Sequence, residues 1–128
     1  MQYVIHYSLH FVAPFLIAIL FFRKDWKKVY FIFLATMLVD LDHLVSSPIF
    51  AANRCSINFH PLHTYWAMLI YIAMLFFRKP VRVIGIALLF HMFTDFIDCM
   101  MTYDSCKECM AKSPALGLVE AVYVLLGL

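Results

Sequence analysis

The sequence predicts an all-α fold, an integral membrane bundle of four transmembrane helices followed by a short apolar C-terminal segment. Three observations carry this. Hydrophobic residues make up 65% of the 128 and charged residues 14%, against about half and about a quarter in an ordinary soluble domain. Four apolar stretches approach or reach the length of about 17–25 residues that a spanning helix needs. The basic residues collect in short clusters between those stretches.

The first span runs from about Tyr3 to Phe22, the second from Val29 to Val45, the third from Pro61 to Phe77 and the fourth from Val81 to Met101. Backbone groups in lipid must be satisfied within their own segment, so each stretch is read as a helix. "RKDWKK" (Arg23–Lys28) separates the first pair and "RKPVR" (Arg78–Arg82) the last pair. The middle connection, Ser46–His60, holds one basic residue, Arg54. Basic loops favour the cytoplasmic side. The N-terminus, the middle loop and the segment after Met101 then lie outside, and the expected location is a bacterial inner (cytoplasmic) membrane. The first span lacks a positive n-region and carries its basic cluster after the apolar run, so an uncleaved anchor is expected rather than a secretory signal.

Residues 1–101 form the expected transmembrane domain and 102–128 a cysteine-containing segment with an apolar tail. "ALGLVEAVYVLLGL" (Ala115–Leu128) is too short to cross about 30 Å of hydrocarbon at about 1.5 Å per residue. It is expected to lie in the interface, re-enter or pack on the bundle. The net charge of +2, without a basic stripe, argues against a nucleic-acid partner. The lipid bilayer is the expected partner, and an oligomer stays open.

Positions of the histidines and aspartates follow from this topology, which was built on Lys and Arg alone. His6 and His10 fall in the outer half of the first helix. Asp40, Asp42 and His43 end the second. His60 and His63 open the third, with Pro61 suited to a first helical position. His91, Asp95 and Asp98 form a stripe on the fourth. All lie on one side. A carboxylate at mid-membrane costs about 2.5–3.5 kcal/mol on the insertion scale, so Asp40 and Asp95 need a partner. A divalent metal held by imidazoles and carboxylates supplies one, with zinc, manganese or iron suited to such donors. The surplus of donors suggests two ions, or one ion whose histidines are oriented by further carboxylates. The expected ligands are His10, Asp42, His43, His60, His63, His91 and Asp95. A metal-free polar network is the alternative.

At these residues the chain resembles the small bacterial inner-membrane proteins described as metal-dependent hydrolases, which include a LexA-regulated member. The shared elements are His10, the Asp-x-Asp-His of Asp40, Asp42 and His43, the His63-Thr64 pair, and the His-x-x-x-Asp of His91 and Asp95. The resemblance covers roughly the first hundred positions. Val39 stands where that group has proline. His60-Pro61-Leu62-His63-Thr64 replaces its His-Arg-Gly-x-Thr-His. A more distant likeness is to zinc-dependent phospholipase C helical proteins.

The resemblance and the donor set together imply a membrane-embedded hydrolase holding one or two zinc ions, with Asp40 or Asp98 as general base. A phosphoester or ester on a lipid or lipid-linked substrate suits the site's depth. Intramembrane His and Asp also mark ion pathways, so a metal or proton transporter is a second reading and a non-catalytic subunit with a structural metal a third. The inner halves of the spans, such as Ile17–Phe22 and Phe31–Ala35, are almost wholly apolar, which disfavours a through-path.

Cys55, Cys99, Cys106 and Cys109 all fall on the oxidising side, where an even number favours disulfides. A CxxC such as Cys106/Cys109 alone would also suit zinc or redox chemistry. Cys55 paired with a later cysteine would tie the middle loop to the fourth helix; spacing leaves the partner open. One geometric conflict remains in the second span. On an α-helix Asp40 and His43 share a face while Asp42 points about 200° away. Either the helix unwinds there or two metals are served.

Overall fold

The computed structural model describes residues 1–49, 51 and 53–128, and Phe50 and Ala52 of the middle connection lie outside the described residues. Among the described residues the chain is all-helical. The α-helices are α1 (Gln2–Phe21), α2 (Trp26–Ala35), α3 (Tyr65–Met74), α4 (Val81–Ser105), α5 (Lys107–Met110) and α6 (Leu116–Leu125). Two 3-10 segments, Thr36–Val45 and Pro61–His63, complete the order.

By length and composition α1 and α4 are the two helices able to cross a membrane. Only 17% of the apolar window of α1 is buried, so its side chains are not absorbed by a protein core. Tyr3, Phe31, Trp66 and Phe76 are 69–84% exposed.

The second span is not one α-helix over Val29–Val45. It begins at Trp26 and changes to 3-10 winding at Thr36. At the junction the Thr36 hydroxyl donates to the Phe33 carbonyl at 2.6 Å, a back-bond that competes with the regular ladder and bends helices. The third span, expected over Pro61–Phe77, is also divided. Pro61 opens a single 3-10 turn ending at His63. Thr64 is extended and caps α3, its hydroxyl accepting the Ala67 N–H at 3.3 Å. A helix begins where a side chain can take up an orphan N–H, so α3 starts after the histidines rather than with them.

Small residues let the helices approach. A Cβ at Gly85 of α4 would stand 2.8 Å from Met74 Cβ and 2.9 Å from the Tyr71 carbonyl oxygen of α3, the close contact that membrane helix pairs make through glycine. Ala18, Val29, Phe33, Val83 and Ala87 form one apolar cluster, and Val39, Ala67, Tyr71 and Met92 a second.

A third cluster joins Cys55 and Ile57 to Cys99, Met110, Ala115 and Val119. The C-terminal segment therefore packs against α4, with Ala115 and Val119 wholly buried. The cysteines pair as Cys55–Cys99 and Cys106–Cys109, with S–S distances of 2.01 and 1.93 Å. The Cys55–Cys99 bridge closes 44 residues of chain, worth up to about 4 kcal/mol on loop-entropy grounds. Replacing both cysteines by serine is expected to cost about 2–4 kcal/mol in thermal unfolding in detergent. The Cys106–Cys109 pair spans only three residues and its removal is expected to cost about half as much or less.

Candidate metal centre

Four donors from three elements converge where the helices meet. Asp40 comes from the 3-10 segment, His63 from the 3-10 turn, and His91 and Asp95 from one face of α4. One donor atom from each lies within 4.8 Å of the others. His91 Nε2 stands 3.0 Å from Asp40 Oδ1 and 3.4 Å from Asp95 Oδ2. His63 Nε2 stands 3.0 Å from Asp95 Oδ2 and 3.4 Å from Asp40 Oδ1. Donors at the corners of a tetrahedron around an ion with bonds of about 2.0–2.1 Å are about 3.3 Å apart. The observed edges match that size.

His63 Nε2 and Asp95 Oδ2 are both buried, yet among the described residues neither has a hydrogen-bond partner. Such orphans are rare in folded chains because each costs about 1–3 kcal/mol. The donor chemistry fits a divalent first-row metal: two neutral imidazoles and two carboxylates, whose charge balances the ion in a low-dielectric setting.

The 3-10 winding resolves the conflict over Asp42. At about 120° per residue, Asp40 and His43 eclipse while Asp42 faces a third direction. There Asp42 Oδ2 accepts the Leu62 N–H at 2.8 Å and meets His63 Nδ1 at 3.0 Å. One carboxylate oxygen thus holds the turn and orients the His63 ring so that Nε2 faces the other three donors, as carboxylates do behind metal-bound histidines. The Tyr71 hydroxyl donates to the Leu62 carbonyl at 2.9 Å and pins the same turn from α3.

His10 sits behind Asp95. Its Nε2 is 3.4 Å from Asp95 Oδ1 and 3.0 Å from Thr94 Oγ1. The Thr94 hydroxyl gives its proton to the His91 carbonyl at 2.7 Å, so toward His10 it is the acceptor. His6, His10 and Asp95 form a further group of possible donors, with the His6 and His10 rings 4.5 Å apart. Pro14 lacks the N–H that would bond the His10 carbonyl.

His43 does not join the four. It is grouped with Asp42 and His60, and its ring stacks on that of His60 at 3.8 Å and 15°. Its Nε2 is 3.6 Å from Asp40 Oδ1, within reach of the rim. Burial, reinforced by the neighbouring His43, pushes the His60 imidazole down to about 4 and keeps it neutral. Asp98 stands apart. It takes a hydrogen bond from Gln2 at 3.0 Å and lies 3.7 Å from His6, lining a cavity of about 190 Å³ with Arg54 and Thr102.

Thr94 and Tyr71 are supporting residues that spacing does not reveal. A threonine next to a His-x-x-x-Asp face and a tyrosine inside an apolar helix are the only traces of them.

No curated protein matches the chain, and no solved structure does. Residues 1–102, which hold every donor of the three groups, match the model of a family of unknown function, DUF6122, and the chain belongs to that family.

Proposed function

We propose that the protein is a membrane-embedded, metal-dependent hydrolase acting on a phosphoester or ester of an amphiphilic substrate at the lipid–water boundary. The observation that carries this is the convergence of His63, His91 and Asp95 with Asp40, two of their donor atoms lying buried 3.0 Å apart with no hydrogen bond among the described residues. His63, His91 and Asp95 are buried, whereas the Asp40 side chain is 33% exposed. Three enclosed ligands with one side open to substrate is the pattern of a catalytic rather than a structural site.

A zinc or similar ion held there supplies Lewis acidity and lowers the pKa of its water toward about 7. The chain's own residues do the rest. Asp42 fixes the tautomer and direction of His63. His10, itself bonded to Thr94, holds the second oxygen of Asp95 in place. Asp40, at the open rim, receives the proton given up by the attacking water. An apolar groove of about 410 Å³ lined by Thr36, Leu38, Val39, Leu62, Ile84 and Leu88 begins one residue from both Asp40 and His63, and its size and lining suit an acyl chain. Ala18, Val29, Phe33, Val83 and Ala87 form an apolar cluster toward the basic loops, which favours catalysis over passage of an ion.

The same reading places four passes in the bacterial inner membrane, with the N-terminus and the site toward the outer face. α2 and its 3-10 continuation rise about 15 and about 20 Å, enough together for about 30 Å of hydrocarbon. α3, at about 15 Å, begins within the outer half, and the irregular chain before it lines the site, the one place where such backbone is tolerated at depth.

The test is release of phosphate from dioctanoyl phosphatidic acid, and of octanoate from dioctanoylglycerol as the phosphate-free ester, by tag-free protein in detergent. Turnover abolished by chelator and restored by zinc is expected for one of the two. No metal-dependent turnover of either substrate would contradict the hydrolase reading.

A further inference from the structure

We infer that the protein binds an anionic phospholipid at the end of the bundle where α1 stops and α4 starts. The site rests on neither the metal centre nor the hydrolase reading. Ten residues of α4, about 15 Å of helix, separate its first residue, Val81, from His91.

Seven of the chain's ten Lys and Arg lie in Arg23–Lys28 and Arg78–Arg82, against one carboxylate, Asp25. The fold brings these two connections together. A cavity of about 360 Å³ is lined by Arg23, Lys24 and Asp25 of the first and Lys79 of the second, with Leu20, Phe21 and Phe22 as its apolar wall. Lys79 Nζ stands 5.5 Å from the centre of the Phe22 ring, so the second connection reaches across to the first. Among the described residues none of these cations is ion-paired, since every ion pair joins a histidine to an aspartate. Three positive charges around one cavity repel one another, and Asp25 offsets only one of them. A bound anion relieves the rest.

The surroundings decide which anion. Arg23 comes two residues after the end of α1 and Lys79 two before the start of α4, and these are the two helices able to cross a membrane. The cavity therefore sits at the headgroup depth of one leaflet. Leu20 and Phe21 are 59% and 77% exposed and offer acyl chains an apolar surface beside the cations. A phospholipid satisfies both surfaces, whereas a free phosphate satisfies the charges alone. The Arg23 guanidinium can fork around phosphate oxygens while the two ammonium groups act as point charges. Basic pockets between membrane helices hold anionic headgroups in this way. Asp25, on the same wall, suits a headgroup that also brings hydroxyl donors, such as a phosphoglycerol.

Native mass spectrometry of tag-free full-length protein in detergent tests this. The protein is titrated with dioleoyl phosphatidylglycerol and, separately, with dioleoyl phosphatidylcholine, which has the same chains and no net charge. Each Lys or Arg at an anionic membrane surface contributes about fivefold in affinity. Three cations are then expected to favour phosphatidylglycerol by about 10²-fold in the wild type. Arg23→Gln/Lys24→Gln/Lys79→Gln is expected to bring it down to the level of phosphatidylcholine. Lys107→Gln/Lys112→Gln, past the far end of α4, is expected to leave it unchanged. Equal affinity of the wild type for the two lipids would overturn the site. An equal loss in both variants would also overturn it, by making the attraction a property of net charge. Inorganic phosphate displacing phosphatidylglycerol at matching concentration would assign the cavity to a free anion and overturn the lipid. Arg23, Lys24 and Lys79 are exposed, so the fold does not depend on them, and the wild-type comparison decides without any variant.

Discussion

Replacing His63 and His91 together by alanine is expected to strip the central ion. Both imidazoles are buried and aimed at Asp40 and Asp95. Loss of a residue that merely orients a metal ligand lowers affinity about 10–100-fold. Two direct ligands then cost about 10³-fold or more. The variant also leaves Asp95 buried with His10 as its remaining neighbour, a change of the kind that costs about 3–5 kcal/mol. Competition with a chromophoric chelator measures the first effect, and thermal unfolding in detergent the second. His6→Ala serves as the control: His6 Nδ1 lies beside Asp98, 3.7 Å away, and that variant is expected to keep the central ion.

Asp40→Asn is expected to separate binding from turnover. Asp40 is the one partly exposed member of the central four, and its Oδ1 lies within 3.6 Å of nitrogens on His43, His63 and His91. Asparagine keeps the volume and a coordinating oxygen but cannot take a proton. A positioned general base contributes about 10²–10⁴-fold to rate. The variant is therefore expected to retain its ion and lose about that factor in metal-dependent hydrolysis. Loss of the ion together with activity would make Asp40 an essential ligand instead. Asp98→Asn is expected to leave turnover unchanged, because Asp98 is bound by Gln2 away from the four donors.

Several elements were legible in the sequence because apolar length alone defines them. The expected first span, Tyr3–Phe22, and the observed α1, Gln2–Phe21, differ by one residue at each end. The fourth differs more, since α4 continues to Ser105; its last turn carries Thr102 and Asp104, whose polarity ends a membrane reading before it ends a helix. The second span hid its change of winding. "TMLVDLDHLV" has an apolar pattern compatible with either helix, and the switch rests on the Thr36 back-bond to Phe33. In the third span a signal was present. Thr64 before an apolar run is an N-cap pattern, and it marks the true start of α3 at Tyr65.

The site divides in the same way. That Asp40 and His43 share a face, and His91 and Asp95 another, follows from spacing. Which face meets which does not, because spacing says nothing about how neighbouring elements are rotated. His63 therefore went with His91, while His43 went with His60. The two roles of Asp42, one oxygen behind His63 and one without a hydrogen bond among the described residues, depend on the 3-10 twist, which spacing left as one of two alternatives. Spacing left the partner of Cys55 open; packing of the middle loop on α4 selected Cys99.

The central claim is that His63, His91 and Asp95 hold an ion, with Asp40 at its open side. Elemental analysis of tag-free protein, purified in detergent without chelator, tests it most directly. The expected result is at least about one equivalent of a divalent first-row metal per chain, zinc foremost, absent from the His63→Ala/His91→Ala protein. Carefully purified wild-type protein with no stoichiometric metal, and none taken up on reconstitution, would contradict it.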